Sequence, residues 1–204
     1  MIRKIKFQFI IVLFIILINN IILFAKEENY KIIKLVNEQV ITNYDLQQRI
    51  RLYAVLNNTI INSEAIDKVA ENILSTMVDE LLQLEKIIEY KIFITDEDIN
   101  SFIKRAYLSE EKNIEDFSTA LKDNNLDIKI LKKTVKISLG WNELSGRLFY
   151  RTSKISKIDL EKTLESDPSL SIEQAETILL QKQIGLRAKK LLRDIRTEAN
   201  IENR

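Results

Sequence analysis

The 204-residue chain contains neither cysteine nor histidine. It therefore forms no disulfide, no zinc site of the usual ligands and no Ser-His-Asp or Cys-His catalytic group. A histidine general base is excluded for the same reason. The dense acidic group Asp96, Glu97 and Asp98 is explained more simply as the start of a helix, where negative charge meets the positive end of the macrodipole. We expect no catalytic residue, no metal site and no cofactor.

Glycine and proline are also scarce, with three glycines and one proline in the whole chain. Sheet-rich folds need tight turns, so this composition favours long helices joined by short polar links. The formal net charge is only +1 and the sequence pI is about 7.8. Such a balance provides no basic footprint for nucleic acid, and we expect no nucleic-acid partner.

The N-terminus has the layout of a secretory signal. Arg3, Lys4 and Lys6 precede an apolar run from Phe7 to Phe24, which is interrupted only by three amides. A positive segment followed by an apolar one is typical of a signal peptide, here over residues 1–25. Leu23 stands where a second small residue is usual before cleavage, so an uncleaved anchor is the alternative. Residues 26–204 are enough for one compact domain.

The first exported segment is the only one with strand character. Tyr30–Val36 is rich in β-branched and apolar residues, a turn at Asn37 and Glu38 follows, and Val40 and Ile41 resume the apolar pattern. Thr42 then predicts a helix N-cap, with Asp45 three residues later as in a capping box.

Helical periodicity accounts for the rest of the chain. The first helix is expected to end near Leu56, and Ser63 is expected to cap a second. Later starts are predicted at Thr95, Asn113, Asp127, Ser156 and Ser171, with Pro168 marking the last break. The apolar stripes predicted to be buried are Ile66, Val69, Ile73, Met77, Leu81, Leu84 and Ile88; Ile99, Phe102, Ile103 and Ala106; Ile130, Ile137, Trp141, Leu144 and Leu148; and Ile172, Ala175, Leu179, Ile184, Ala188, Leu191 and Ile195.

The fold class that follows is mainly α, with about six or seven helices in one domain. The segment 199–202 is extended in character, and we expect it to form a small terminal sheet with residues 31–36. The C-terminal helix must then pack back on the N-terminal half of the chain.

Four sequence stretches resemble, in order, those of the SurA-like periplasmic chaperone family. Residues 36–46 are similar to its "VNxxxITxxDL" opening, and residues 74–84 to its "LxxLIDExLxxQ" helix. Residues 93–99 match its "xVSDEEV" link, and residues 117–131 with 139–148 resemble its paired helices. Together they cover residues 36–150. Residues 175–202 resemble the family's C-terminal helix and strand.

This resemblance implies a chaperone core in two parts, 36–150 and 171–204. Full-length relatives carry parvulin (prolyl isomerase) domains between those parts, whereas this chain has only the short link 151–170 and lacks the histidines of the isomerase site. The resemblance therefore implies an ATP-independent periplasmic holdase without isomerase activity. Its implied partners are unfolded outer-membrane proteins or other exported polypeptides.

Aromatic residues beyond the needs of a core stripe are the candidates for client binding: Tyr53, Tyr107, Phe149 and Tyr150. The alternative for each is an ordinary half-buried surface aromatic, and for Trp141 core packing is favoured over a ligand contact. At the level of the whole protein, the alternative is a membrane-tethered helical assembly or scaffold protein with one fixed partner. An enzyme is disfavoured by the missing histidines.

Overall fold

The computed structural model describes residues 30–59, 66–108 and 113–204. The compact unit described below spans Ile32–Arg204. The signal segment 1–25 and the N-cap expected at Ser63 lie outside the described residues. Within those ranges, no helix combines the length and the apolar character that crossing a bilayer requires.

A short hairpin opens the unit. Strand β1 (Ile32–Val36) pairs with β2 (Gln39–Thr42) in antiparallel register, with Val36 opposite Gln39. The turn between them depends on Asn37, whose φ of 51° lies in the left-handed region that asparagine tolerates better than most residues. The hairpin predicted from the sequence is confirmed.

The last residues of the chain complete the sheet. Strand β3 (Ile201–Asn203) pairs antiparallel with β1, with Leu35 opposite Glu202, so that the strand order is β2-β1-β3. The backbone N–H of Arg204 also donates to the carbonyl of Ile33. This confirms the predicted terminal sheet.

Seven α-helices occur in the described part of the chain. They are α1 (Asn43–Leu56), α2 (Ile66–Glu89), α3 (Asp96–Tyr107), α4 (Ile114–Asp123), α5 (Ile128–Phe149), α6 (Lys157–Ser166) and α7 (Ile172–Glu198), with a 3₁₀ turn at Tyr150–Thr152 after α5. Capping boxes begin three of them, at Thr42, Thr95 and Ser171. These local signals are why the predicted starts agree with the structure.

The C-terminal helix packs back on the start of the unit, as predicted. Leu192 and Ile195 of α7 contact the apolar cluster that contains Val36 and Met77, and a second cluster joins α7 to Ile87 and Trp141. Arg196 adds a salt bridge to Asp79 on α2. A third cluster, around Ile103 and Leu121, is built from α1, α3, α4 and α5. Trp141 is a core residue, as favoured.

Four of the residues predicted to be buried in apolar stripes are exposed in the structure, so the prediction is wrong for them. Ile66, Ile88, Ala106 and Ile172 are exposed, and 67% of the surface of Ile88 is accessible. On α2, Met77 and Leu81 are buried as predicted, and Val78, Leu82 and Ile87 are buried as well. The reason is that α5 and α7 both pack against α2, so its buried face is broader than one stripe and turns away from Ile88 at its C-terminal end.

Candidate functional site

Helices α1, α2 and α5 frame a cleft that one side chain crosses. Arg49 of α1 donates hydrogen bonds to the Glu80 carboxylate on α2 and to the Thr134 hydroxyl on α5. The ion pair is largely enclosed, because the side chains of Arg49 and Glu80 keep 14% and 17% of their accessible surface. Arg49 and Thr134 line a cavity on each side, so the bridge separates two pockets.

The first, which we call the β2 pocket, holds about 330 Å³. Strand β2 forms one wall with Val40 and Ile41, and α5 forms the opposite wall. Its other lining residues are Tyr44, Asp45, Gln48, Arg49, Met77, Glu80, Leu81, Ile130, Lys133, Thr134 and Ile137. The lining therefore combines apolar side chains with the charged groups Asp45, Arg49, Glu80 and Lys133.

The second, which we call the tyrosine pocket, holds about 420 Å³. Tyr53 of α1 and Tyr107 at the end of α3 stand at its rim and keep 44% and 40% of their surface exposed. Leu52, Leu56, Ile73 and Leu131 supply most of its apolar lining, together with Arg49, Asn57, Asn72, Thr76 and Thr134. A pocket of this size accepts one aromatic side chain with its neighbours.

Opposing influences act on the pKa of the Glu80 carboxyl, which lies between the two pockets. Burial raises the pKa of the Glu80 carboxyl above its ordinary value, and the nearby Asp79 acts in the same direction. The Arg49 guanidinium and the Lys133 ammonium oppose that rise in the pKa by stabilising the charged carboxylate. The Arg49 guanidinium therefore partly offsets the cost of burying the charged Glu80 carboxylate.

The four aromatic candidates fall into two places. Tyr53 and Tyr107 share the tyrosine pocket. Phe149 and Tyr150 lie at the C-terminal end of α5, 18 residues beyond Leu131, or about 27 Å along the helix axis. There Phe149 is half-buried and packs against the cluster of Ile87 and Leu144, whereas Tyr150 is 63% exposed. Their roles stay predictions.

Three residues that shape the cleft were not found from the sequence. Tyr44 could have been, because it is an aromatic residue two positions after the Thr42 cap and belongs to none of the predicted core stripes. Arg49 and Glu80 are 31 positions apart on different helices. Nothing local signals such a pairing, because each alone is an ordinary charged residue on a helix.

The two pockets of the cleft combine apolar side chains with polar and charged ones, which suits binding of a polypeptide side chain and its neighbours. In the three described ranges, no group of three or more histidine, cysteine, aspartate or glutamate side chains is placed to hold a metal ion.

No family model matches the chain, and no curated protein matches it in sequence. A match among solved structures comes from a study of Campylobacter jejuni in which the virulence factor PEB4 and the periplasmic protein Cj1289 are described as two structurally related SurA-like chaperones. The match covers 85% of this chain and 98% of the other, with 12% sequence identity and a TM-score of 0.46. A likeness this low assigns neither a family nor a function to this chain.

Proposed function

We propose that this chain is an exported, ATP-independent holdase. It binds unfolded outer-membrane proteins or other exported polypeptides in the periplasm and has no prolyl isomerase activity. The observation that carries this proposal is the cleft, with two partly apolar pockets that both include Arg49 and have exposed tyrosines in their lining. The N-terminal signal pattern and the order of the SurA-like motifs support export and client binding.

The expected affinity suits a holdase. An aromatic side chain that buries about 100 Å² of apolar surface in a pocket gains about 2–3 kcal/mol. Two occupied pockets must still offset the loss of translational and side-chain freedom on association, so one client segment binds weakly. Weak binding at several segments holds an unfolded chain, and each segment releases when the client folds.

Release needs no driven cycle under this proposal. The three glycines stand at 140, 146 and 185, so the sequence contains no glycine-rich loop of the phosphate-binding kind. Isomerase chemistry of the parvulin type is disfavoured by the absence of histidine. Both points favour a protein that protects its client by binding alone.

Site-specific photocrosslinking tests the proposal. A photoreactive phenylalanine analogue is placed singly at Tyr53, at Tyr107 and, as a control outside the cleft, at exposed Ile158 on α6. We expect an unfolded β-barrel client to crosslink at Tyr53 and Tyr107 several-fold more than at Ile158, and the folded barrel to crosslink at none. Equal yields at all three sites, or no adduct at either tyrosine, would contradict client binding in the cleft.

Export is tested separately. The chain is expressed in a Gram-negative host and the N-terminus of the product is read by mass spectrometry. We expect a product that begins at Lys26, recovered from the periplasmic fraction. An intact N-terminus in the membrane fraction would favour the membrane-tethered assembly protein instead.

A further inference from the structure

A row of lysines runs along the first half of α5. Lys129, Lys133 and Lys136 recur at i, i+4 and i+7, so they lie on one side of the helix, with Lys132 next to them. The first fifteen residues of α5, 128–142, contain no aspartate or glutamate. Lys129, Lys133 and Lys136 are exposed and Lys132 is partly exposed. We call these four residues the lysine row.

The lysine row borders the β2 pocket. Lys133 lines that pocket together with Ile130 and Ile137, which stand three residues before it and four after it. Helical spacing puts Lys129 and Lys136 on the outer side of the same edge. A ligand in the β2 pocket that extends across α5 must therefore pass the lysine row.

The nearby carboxylates have other partners. Glu80 is paired with Arg49, and Asp45 accepts hydrogen bonds from the backbone and the hydroxyl of Thr42. Asp127 caps α5 through the N–H of Lys129, and its second oxygen is 3.8 Å from the Lys129 ammonium. Among the ion pairs of the described residues, none includes Lys132, Lys133 or Lys136.

Lys129 lies in the first turn of α5, where the helix macrodipole disfavours a cation, and the Asp127 N-cap offsets this. Cations near a helix N-terminus are repelled by the macrodipole, at about 0.3–1 kcal/mol for a group in the first turn. The first turn of α5 contains no acidic residue, whereas that of every other α-helix in the described ranges does. An ordinary solvated face mixes both signs of charge. Lys133 stabilises the Glu80 carboxylate from a distance, but Lys132, Lys133 and Lys136 have no ion-pair partner among the described residues, so the lysine row keeps positive charge beside the β2 pocket.

We infer that the lysine row binds the carboxylates of an unfolded polypeptide segment whose aromatic or aliphatic side chain occupies the β2 pocket. This inference rests on the proposed function and names the segments that the cleft prefers: those in which aspartate or glutamate flanks a large apolar residue. The complementary charge raises the association rate and selects the segment, while the pocket supplies most of the affinity.

The shape of the site favours a polypeptide over an anionic lipid surface. Peripheral membrane binding needs apolar side chains that project from the protein beside the basic groups. Val40 and Tyr44 of the lining are exposed, but the apolar groups of α5 next to Lys133 face inward, because Ile137 is buried and Ile130 is half-buried in the wall of the β2 pocket. A flat surface does not reach them, whereas a single side chain does.

Peptide binding tests the inference. Three labelled peptides share one phenylalanine-rich centre and carry Asp, Gln or Lys flanks, and their affinities are measured by fluorescence anisotropy in 50 mM and 500 mM salt. The variant Lys133→Gln/Lys136→Gln is compared with Lys154→Gln/Lys157→Gln, which removes two exposed lysines elsewhere. We expect the Asp peptide to bind wild type about fivefold more tightly than the Gln peptide in 50 mM salt, with the Lys peptide weakest.

The preference should disappear in 500 mM salt and in the first variant, and it should persist in the second. Equal affinity for the Asp and Gln peptides would overturn the inference and leave the proposed function intact. If no peptide binds, the proposed function fails as well. Loss of binding to vesicles containing anionic lipid in the first variant, with peptide preference unchanged, would assign the lysine row to a membrane surface and overturn the inference.

Discussion

Asn37 and Asn200, 163 positions apart, exchange two hydrogen bonds. The Asn37 backbone N–H donates to the Asn200 carbonyl at 2.8 Å, and the Asn200 N–H donates to the Asn37 side-chain oxygen at 3.0 Å. The Asn37 amide also donates to Glu85 on α2 at 2.8 Å. One turn residue therefore joins the hairpin, the C-terminal strand and the longest helix of the N-terminal half.

Two substitutions at Asn37 separate its backbone role from its side-chain role. Both Asn37→Gly and Asn37→Ala lose the two side-chain hydrogen bonds, but glycine adopts the positive φ freely whereas alanine is disfavoured in the left-handed region. We expect both to lower the free energy of unfolding, and Ala to cost about 1 kcal/mol more than Gly. Urea unfolding measures the difference. Equal stability of the two variants would show that the turn conformation does not matter.

Gly140 marks the closest approach of α5 to α2. A β-carbon at Gly140 would lie 2.9 Å from Cδ1 and 3.2 Å from Cγ1 of Ile87, which is buried, whereas one at Gly146 would meet nothing within 4 Å. We expect Gly140→Ala to cost about 1–3 kcal/mol and Gly146→Ala, its matched control, to gain about 0.5–1 kcal/mol. Thermal unfolding followed by circular dichroism measures both. A stabilising Gly140→Ala would contradict the close packing.

Protonation of Glu80 at acidic pH favours the folded state, whereas protonation of most carboxylates disfavours it. Because burial raises its pKa, the folded chain binds the Glu80 proton more tightly than the unfolded chain does. Its contribution to the free energy of unfolding therefore rises as the pH falls through the raised pKa toward about 4.3, the unfolded value. Glu80→Gln should lose this rise.

Arg49→Met is the complementary variant. It leaves the Glu80 carboxylate enclosed without its partner, so we expect a loss of about 2–4 kcal/mol at pH 7 that becomes smaller on acidification. Urea unfolding of the three proteins between pH 5 and pH 7 gives the comparison. If Arg49→Met were as stable as wild type at pH 7, the bridge would have no role in holding the cleft.

Phe149 and Tyr150 should behave differently although they are neighbours. Phe149 packs against the core cluster of Ile87 and Trp141, so Phe149→Ser is expected to cost about 2–4 kcal/mol. Tyr150 is mostly exposed, so Tyr150→Ser should change stability by less than about 0.5 kcal/mol. Thermal melts compare the two variants. Equal losses would mean that Tyr150 also packs against the core.

The sequence predicts well those features that depend on residues close together in the chain. The caps at Thr42, Thr95 and Ser171 each depend on residues within three positions, so the helix starts follow from short patterns. The terminal sheet was also predictable, because both ends have extended character between helical segments. The cleft was not, because Arg49 meets Glu80 and Thr134 across 31 and 85 positions. Only packing brings these helices together, and a single sequence does not encode that pairing in any short pattern.

The most direct test of the holdase function is protection of an unfolded β-barrel client from aggregation, followed by light scattering at a stoichiometric ratio without nucleotide or metal. Tyr53→Ser/Tyr107→Ser is compared with Ile158→Ser/Ile172→Ser, which removes two exposed apolar side chains outside the cleft. We expect wild type and the second variant to suppress aggregation, and the first to lose most of its protection with an unchanged melting temperature. Wild type that protects no barrel client, or a first variant that protects as well as wild type, would contradict it.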